Sequence, residues 1–280
     1  SVYRLFIFSN NMTEAVIYND PNSVPSNVLP QPAVPKRHTF SRLYGKHDVL
    51  DGEYRLSQKI VAELLGTMLF VYGVCACGLF GSDPACSIVG SCFMGGVIIY
   101  IFGRVSGAHF NPAVSLALFL RHKLSAMELL LYIIAQIVGG FIGAVLVGLC
   151  ARAKFKNLAA NSIAFPDYVK HNGWYYVSPF LFEILGTFIL IMFILASCER
   201  DNYLGPTLGF AFSTTLIAIS GIAGGVSGCS LNPARSFGPA LLQVMAGGPS
   251  TPMKHIWIYI VGPLLGAVIA AFLWPVFVYQ

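Results

Sequence analysis

Asn-Pro-Ala occurs twice in this chain, at Asn111-Pro112-Ala113 and Asn232-Pro233-Ala234, within the matching stretches VSGAHFNPAVSLA and VSGCSLNPARSFGPA. Asn-Pro alone is an ordinary turn starter. Two copies in one context, 121 residues apart, mark a duplicated half. The duplication reaches beyond these segments. One apolar run opens VAELLGTMLF and another LFEILGTFIL, so Glu63 and Glu183 stand 120 residues apart, as do Thr67 and Thr187. Any fold for this chain must use the same half twice.

Only 10% of the 280 residues are charged and 56% are hydrophobic. Soluble domains carry about 25% charged residues, so this chain cannot cover a water-facing surface, and its partner is the lipid bilayer. The net charge of +5 is small and scattered, and no basic cluster interleaved with aromatics points to nucleic acid. Seven cysteines, an odd number, lie mostly in apolar runs, and their spacing matches no zinc site. Cys75 and Cys77 read as small packing residues inside a span. No cofactor or metal is expected, and no nucleophile–base set suggests an enzyme. The opening SVYRLFIFSN lacks the apolar core of a signal peptide.

Residues 1–58 are polar, with five prolines between Pro21 and Pro35 and scattered basic residues, a composition that predicts a mostly disordered or loosely packed cytosolic tail. The membrane-embedded part is expected over 59–280, with a first repeat near 59–150 and a second near 176–280. Six stretches approach the roughly 20 apolar residues that cross a bilayer: 60–80, 86–103, 127–149, 177–198, 204–223 and 256–277. The segments that begin at each Asn-Pro-Ala, 111–120 and 232–244, are too short to cross and read as re-entrant. The predicted fold class is therefore an all-α membrane protein with six transmembrane helices and two re-entrant half-helices. Three spans, an odd number, separate equivalent points, so the halves enter from opposite faces as an inverted internal repeat. With the amino-terminal tail inside, eleven Lys/Arg lie on the cytosolic side and five outside, which favours both termini in the cytosol. The basic cluster from Arg152 to Lys156 runs against that trend.

At membrane depth, irregular backbone survives only where protein or a watery cavity satisfies it. Pro fits a first helical turn, where its missing N–H is not needed. The Asn before it can cap the turn or leave its amide free toward a cavity. Half-helices entering from opposite faces meet tip to tip, each tip carrying about half a positive charge. A pore between them offers amide donors to neutral molecules and repels cations. Arg235, three residues after Asn232, is expensive in a membrane and therefore reads as functional.

These segments resemble the signature loops of the aquaporin, or major intrinsic protein, family; AELLGT and FEILGT resemble its repeat openers, and the likeness covers about 60–278. The resemblance implies a homotetramer with one pore per subunit. It implies that Asn111 and Asn232 hydrogen-bond the passing molecule, and that Arg235 lines an outer constriction and repels protons and cations. It also implies that Glu63 and Glu183 accept backbone hydrogen bonds from the re-entrant loops. His109 reads as a packed or loop-bracing residue. Gly139/Gly143, Gly262/Gly266 and Gly103/Gly107 are spaced for close helix contact.

Counting from the family's constriction positions gives Ser91, Ser220 and Cys229 beside Arg235. Water-selective members of the family usually carry an aromatic and a His at the first two positions; this chain has neither, and three small residues predict a wider opening. Against that, Ser236 and Ala240 stand where glycerol-conducting relatives have an Asp and a basic residue. Tyr259 suits the water branch, while Ile260 replaces its usual Trp. The resulting expectation is a passive channel for water and small uncharged solutes that excludes protons and ions. The alternative is a channel mainly for glycerol, ammonia, urea or metalloid-type solutes. A remoter one is an alternating-access transporter, for which Glu63, Glu128 and Glu183 are the candidate span acids. Tail residues Tyr3 to Phe8 or Phe40 to Tyr44 are candidates for covering the cytosolic mouth, with Thr39 a candidate phosphorylation site.

Overall fold

The computed structural model describes residues 54–152, 155–163, 174–197 and 207–278, together with the backbone of 5–8 and 15–18. Two compact units are present, Ser1–Glu53 and Tyr54–Gln280. In the first, β1 (Leu5–Phe8) pairs antiparallel with β2 (Ala15–Tyr18), Leu5 opposite Tyr18 and Phe8 opposite Ala15. The expectation of a mostly disordered or loosely packed tail did not single out this strand pair, because LFIF and AVIY are short apolar runs diluted by a polar, proline-rich neighbourhood. The tail side chains named above as a cover for the pore mouth, and Thr39, lie outside the described residues.

Among its described residues, the second unit's regular elements are all helices. Its elements are α1 (Leu56–Phe80), α2 (Pro84–Ser106), α3 (Pro112–Leu120), α4 (Ala126–Cys150), α5 (Trp174–Ser197), α6 (Leu208–Ser227), α7 (Pro233–Met245), α8 (Thr251–Lys254), α9 (Ile256–Leu273) and α10 (Pro275–Val278). Among the described residues six spans, with α9 and α10 counted as one, are long and apolar enough to cross a membrane. The two half-helices, α3 and α7, are 9 and 13 residues long.

Local chemistry sets the ends. Asp83 caps α2 by accepting the Cys86 N–H at 2.9 Å, with Pro84 in the first turn. Ser125 and Glu128 close α4 with reciprocal hydrogen bonds. α6 runs four residues past the expected end at 223, through Gly224-Gly225-Val226-Ser227, and stops at Gly228 in a left-handed cap. Hydropathy alone stops at the paired glycines. In the fold, Gly221, Gly224 and Gly225 face open space, so nothing forces the helix to break there.

The repeats interlock. Half-helix α3 of the first repeat packs chiefly on α9 of the second, through Ala113, Ala117 and Leu118 against Ala267, Ala270, Ala271 and Trp274. α7 of the second repeat packs on α4 of the first, where a side chain at Gly140 or Gly238 would strike the facing backbone. Gly139 and Gly143 bring α4 onto the Leu64 and Met68 carbonyls of α1, and Gly262 and Gly266 bring α9 onto α5 at Glu183 and Ile184. The expected third pair does not behave this way. Gly103 has no close cross-helix neighbour among the described residues, and Gly107 is the left-handed cap of α2, a conformation that glycine adopts without strain.

Candidate functional site

Each Asn-Pro-Ala is preceded by a loop with one backbone pattern. Gly107, Ala108 and Phe110 have positive φ in the first loop, and Gly228, Cys229 and Leu231 have it in the second. Four of these six are not glycine, so both loops store backbone strain that the surroundings must hold. Two buried carboxylates do so. Glu63 accepts Ser106 Oγ (2.6 Å) and His109 N (3.0 Å) on Oε1, and Phe110 N (2.7 Å) and Gln136 Nε2 (2.8 Å) on Oε2. Glu183 accepts Ser227 Oγ (2.7 Å) and Ser230 N (2.9 Å) on Oε1, and Leu231 N (2.8 Å) on Oε2. Tyr132 and Tyr259 complete the symmetry by donating to the Ser106 and Ser227 carbonyls at 2.9 and 2.8 Å.

The two asparagines do both jobs that the sequence left open. Asn111 Oδ1 caps α3 at Ala113 N (2.9 Å), and its Nδ2 donates to the Leu231 carbonyl (2.8 Å). Asn232 Oδ1 caps α7 at Ala234 N (3.0 Å), and its Nδ2 donates to the Phe110 carbonyl (2.8 Å). Each half-helix tip is thus tied to the opposite repeat. Every Nδ2 carries two hydrogens, so each Asn keeps one for the cavity that both residues line. Pro112, Ala113, Pro233 and Ala234 are buried in the first turns.

Two cavities lie end to end. The inner, of about 40 Å³, is bounded by His109, Phe110, Asn111 and Asn232 on the loop side and by Ile98 and Phe212 on the helix side. The outer, of about 170 Å³, is bounded by Ser91, Cys92, Ser220, Cys229 and Arg235. Phe70, Leu216, Ser230 and Leu231 border both, so the cavities meet there. Helix α6 supplies Phe212, Leu216, Ser220 and Gly224, one residue every four, so a single face of α6 lines both.

All four residues expected at the constriction border the outer cavity. Cys92 also borders it, and sequence counting missed it. Its thiol approaches Ser220 Oγ at 3.8 Å, and Ser220 Oγ in turn lies 3.5 Å from Cys229 Sγ. The signal available was helical periodicity, since positions 88, 91, 92 and 95 share one face of α2. Arg235 is 9% exposed; its Nη1 is buried with no hydrogen-bond partner among the described residues. His109 braces the loop as expected, with Nδ1 3.0 Å from Ser115 Oγ and its ring edge-on to Tyr132, yet it also borders the inner cavity. No group of three or more metal-ligating side chains occurs among the described residues.

Six crossing helices, two facing half-helices and a lined passage between them define an integral, multi-pass membrane protein built as a channel. The sequence profile described as "Major intrinsic protein" matches residues 52–274. The chain belongs to that family. It is 34% identical to "Glycerol uptake facilitator protein-like 6" of Lactiplantibacillus plantarum over 77% of this chain and 95% of the relative. It is 34% identical to "Aquaporin NIP1-1" of Zea mays, over 76% and 72%. To "Aquaporin-8" of Notomys alexis the identity is 32%, over 85% and 91%. The X-ray structure of the aquaglyceroporin from Plasmodium falciparum shares the fold at a TM-score of 0.70 and 22% identity, covering 79% of this chain and 96% of that one.

Proposed function

We propose that this protein is a passive pore for water and small uncharged solutes that excludes protons and ions. The observation that carries the reading is the pair of abutting cavities bordered by Asn111, Asn232 and Arg235. A molecule in the passage meets apolar wall from α1, α2 and α6 on one side. On the other it meets the remaining amide N–H of each Asn and the guanidinium of Arg235. The amino-terminal tips of α3 and α7 add positive potential at the same depth. Neutral molecules with a lone pair are accepted, while cations and hydronium face Arg235 and both helix tips.

The small residues Ser91, Ser220 and Cys229 leave an outer cavity with room for more than one water. Together with the glycerol facilitator among the relatives, this supports passage of small neutral solutes besides water. An alternating-access transporter needs an acid free to couple an ion. Glu63 and Glu183 are occupied by the loops, and Glu128 is held by Lys59 at 3.0 Å and by Ser125. Both termini lie in the cytosol on this reading, as the Lys/Arg distribution favours. The protein assembles as a homotetramer. The spans α2 and α6 support this, since about 22% of their residues are buried within the chain against 39–44% for the other four, and Phe93, Val97, Tyr100 and Phe210 stand exposed beside one another.

Stopped-flow light scattering on proteoliposomes tests the reading. Fast shrinkage in sucrose and re-swelling in glycerol are expected. A mercurial should block both, and Cys229→Ser should remove the block. Permeability no greater than that of empty vesicles would overturn the channel.

A further inference from the structure

The two pore loops are built alike but braced differently. In the first, Ser115 Oγ receives Gln136 Nε2 at 3.0 Å from the middle of α4. Ser236 is the counterpart of Ser115, 121 residues later, but the position matching Gln136, counted from the Tyr132/Tyr259 pair, is Pro263. Among the described residues, no helix side chain takes over. Instead Ser236 Oγ donates to Asn161 Oδ1 at 2.8 Å, and Asn161 Nδ2 donates to the Gly228 carbonyl at 3.1 Å.

Asn161 belongs to the connection between α4 and α5, which joins the two repeats, and is 5% exposed. The connection is seated three residues earlier. Leu158 is fully buried against Val71, Ala144 and Val147, and its N–H donates to Gln243 Oε1 at 3.3 Å. From that seat the amide reaches two points flanking the outer constriction: Gly228 immediately precedes Cys229, and Ser236 immediately follows Arg235. One donor and one acceptor on a planar amide match a carbonyl and a hydroxyl; a carboxylate would face the Gly228 carbonyl oxygen with no hydrogen to share.

We propose that Asn161 is a positioning residue that fixes the separation of Cys229 and Arg235 and thereby sets how large a neutral solute the outer constriction admits. The inner loop takes its spacing from a span, whereas the outer loop takes it from the link between repeats, so outer selectivity is adjustable without altering a transmembrane helix. This inference rests on the channel reading.

The test uses the full chain in proteoliposomes as wild type, Asn161→Ala, Asn161→Asp and the milder Asn161→Ser, which guards against a variant that fails to fold. Two quantities are read. One is the ratio of glycerol to water permeability. The other is the labelling rate of Cys229 by a methanethiosulfonate reagent, resolved by peptide mass spectrometry with exposed Cys86 and buried Cys75 as references. Asn161→Ala removes both hydrogen bonds; it should raise the permeability ratio and speed Cys229 labelling about fivefold relative to Cys86, the shift that losing the one bond to the Gly228 carbonyl beside Cys229 produces. Asn161→Asp should move both quantities the same way. If both permeabilities fall in parallel and Cys75 is labelled faster along with Cys229, the residue is only structural and the proposal is overturned; unchanged ratio and labelling overturn it too. If the wild type conducts nothing, the channel reading fails by itself. Labelling still decides whether Asn161 holds Cys229: selective acceleration supports it and no acceleration overturns it.

Discussion

At the scale of single residues, the burden falls on two carboxylates that touch no solute. Glu63 accepts four hydrogen bonds and Glu183 three, all in full burial. Removing either leaves several donors orphaned, at about 1–3 kcal/mol each, beside backbone that is already strained. Glu63→Ala and Glu183→Ala should therefore lower the thermal midpoint of the detergent-purified protein sharply, with Glu63→Ala the worse. Gln in place of Glu183 retains one acceptor oxygen and should fall between. Equal midpoints for Glu183→Ala and wild type would show that the loop holds its shape without the acid. Arg235 is the opposite case, a buried cation at the cavity whose Nη1 has no hydrogen-bond partner among the described residues. Arg235→Val should preserve folding while admitting a proton or cation leak, read as pH-dye decay in vesicles under an imposed potential.

Among the elements, contact between helices is decided by glycine. A larger side chain at Gly143 or Gly266 must displace backbone of the facing span, so Gly143→Val and Gly266→Val should cost about 1–3 kcal/mol or more through overpacking. Gly103→Ala meets no such obstacle and should stabilise α2 by about 0.5–1 kcal/mol. Equal effects at Gly103 and Gly143, compared by thermal denaturation, would sink this assignment. The start of α2 adds a pH prediction. The Cys86 backbone N–H, followed by weaker hydrogen bonds, holds the Asp83 carboxyl below its ordinary value. A carboxylate whose pKa falls on folding stabilises above its unfolded pKa, about 3.9, and loses that contribution as the pH drops through the folded value. The gap in thermal midpoint between wild type and Asp83→Ala should stay constant from neutral pH to about 4 and close only in stronger acid.

For the whole molecule, the interlocked half-helices join the two repeats into one cooperative body: α3 is seated on α9, and α7 on α4. Neither half should fold alone, and co-expressing the halves as separate chains should yield protein only when both are present. The thinly buried α2 and α6 fit the proposed homotetramer, so four copies of the chain are expected in native mass spectrometry; a monodisperse monomer in a mild detergent would contradict that. A charged residue on their exposed face, such as Val97→Lys, should disfavour the assembly while leaving the cavity lining unchanged.

Much of this architecture was written in the order of residues. The duplicated Asn-Pro-Ala segments, the repeated Glu-x-x-x-Thr openers and six apolar runs settled the number of spans, the two half-helices and their inverted relation, because bilayer thickness and helix capping act locally along a chain. Glu63 and Glu183 stood out as acids inside apolar runs, and it was the resemblance to the aquaporin family that implied their bracing role. What depends on contacts between distant segments was not legible. That each Asn ties itself to the carbonyl before the other Asn, that Cys92 joins the cavity wall, and that Gly107 ends a helix rather than packing against one all follow from three-dimensional placement. The same holds for Asn161, an ordinary polar residue in a connecting loop until the fold carries it to Gly228 and Ser236. Hydrophobicity and periodicity say which residues enter the membrane, but a hydrogen bond spanning 67 or 75 residues of chain is decided only when the elements pack.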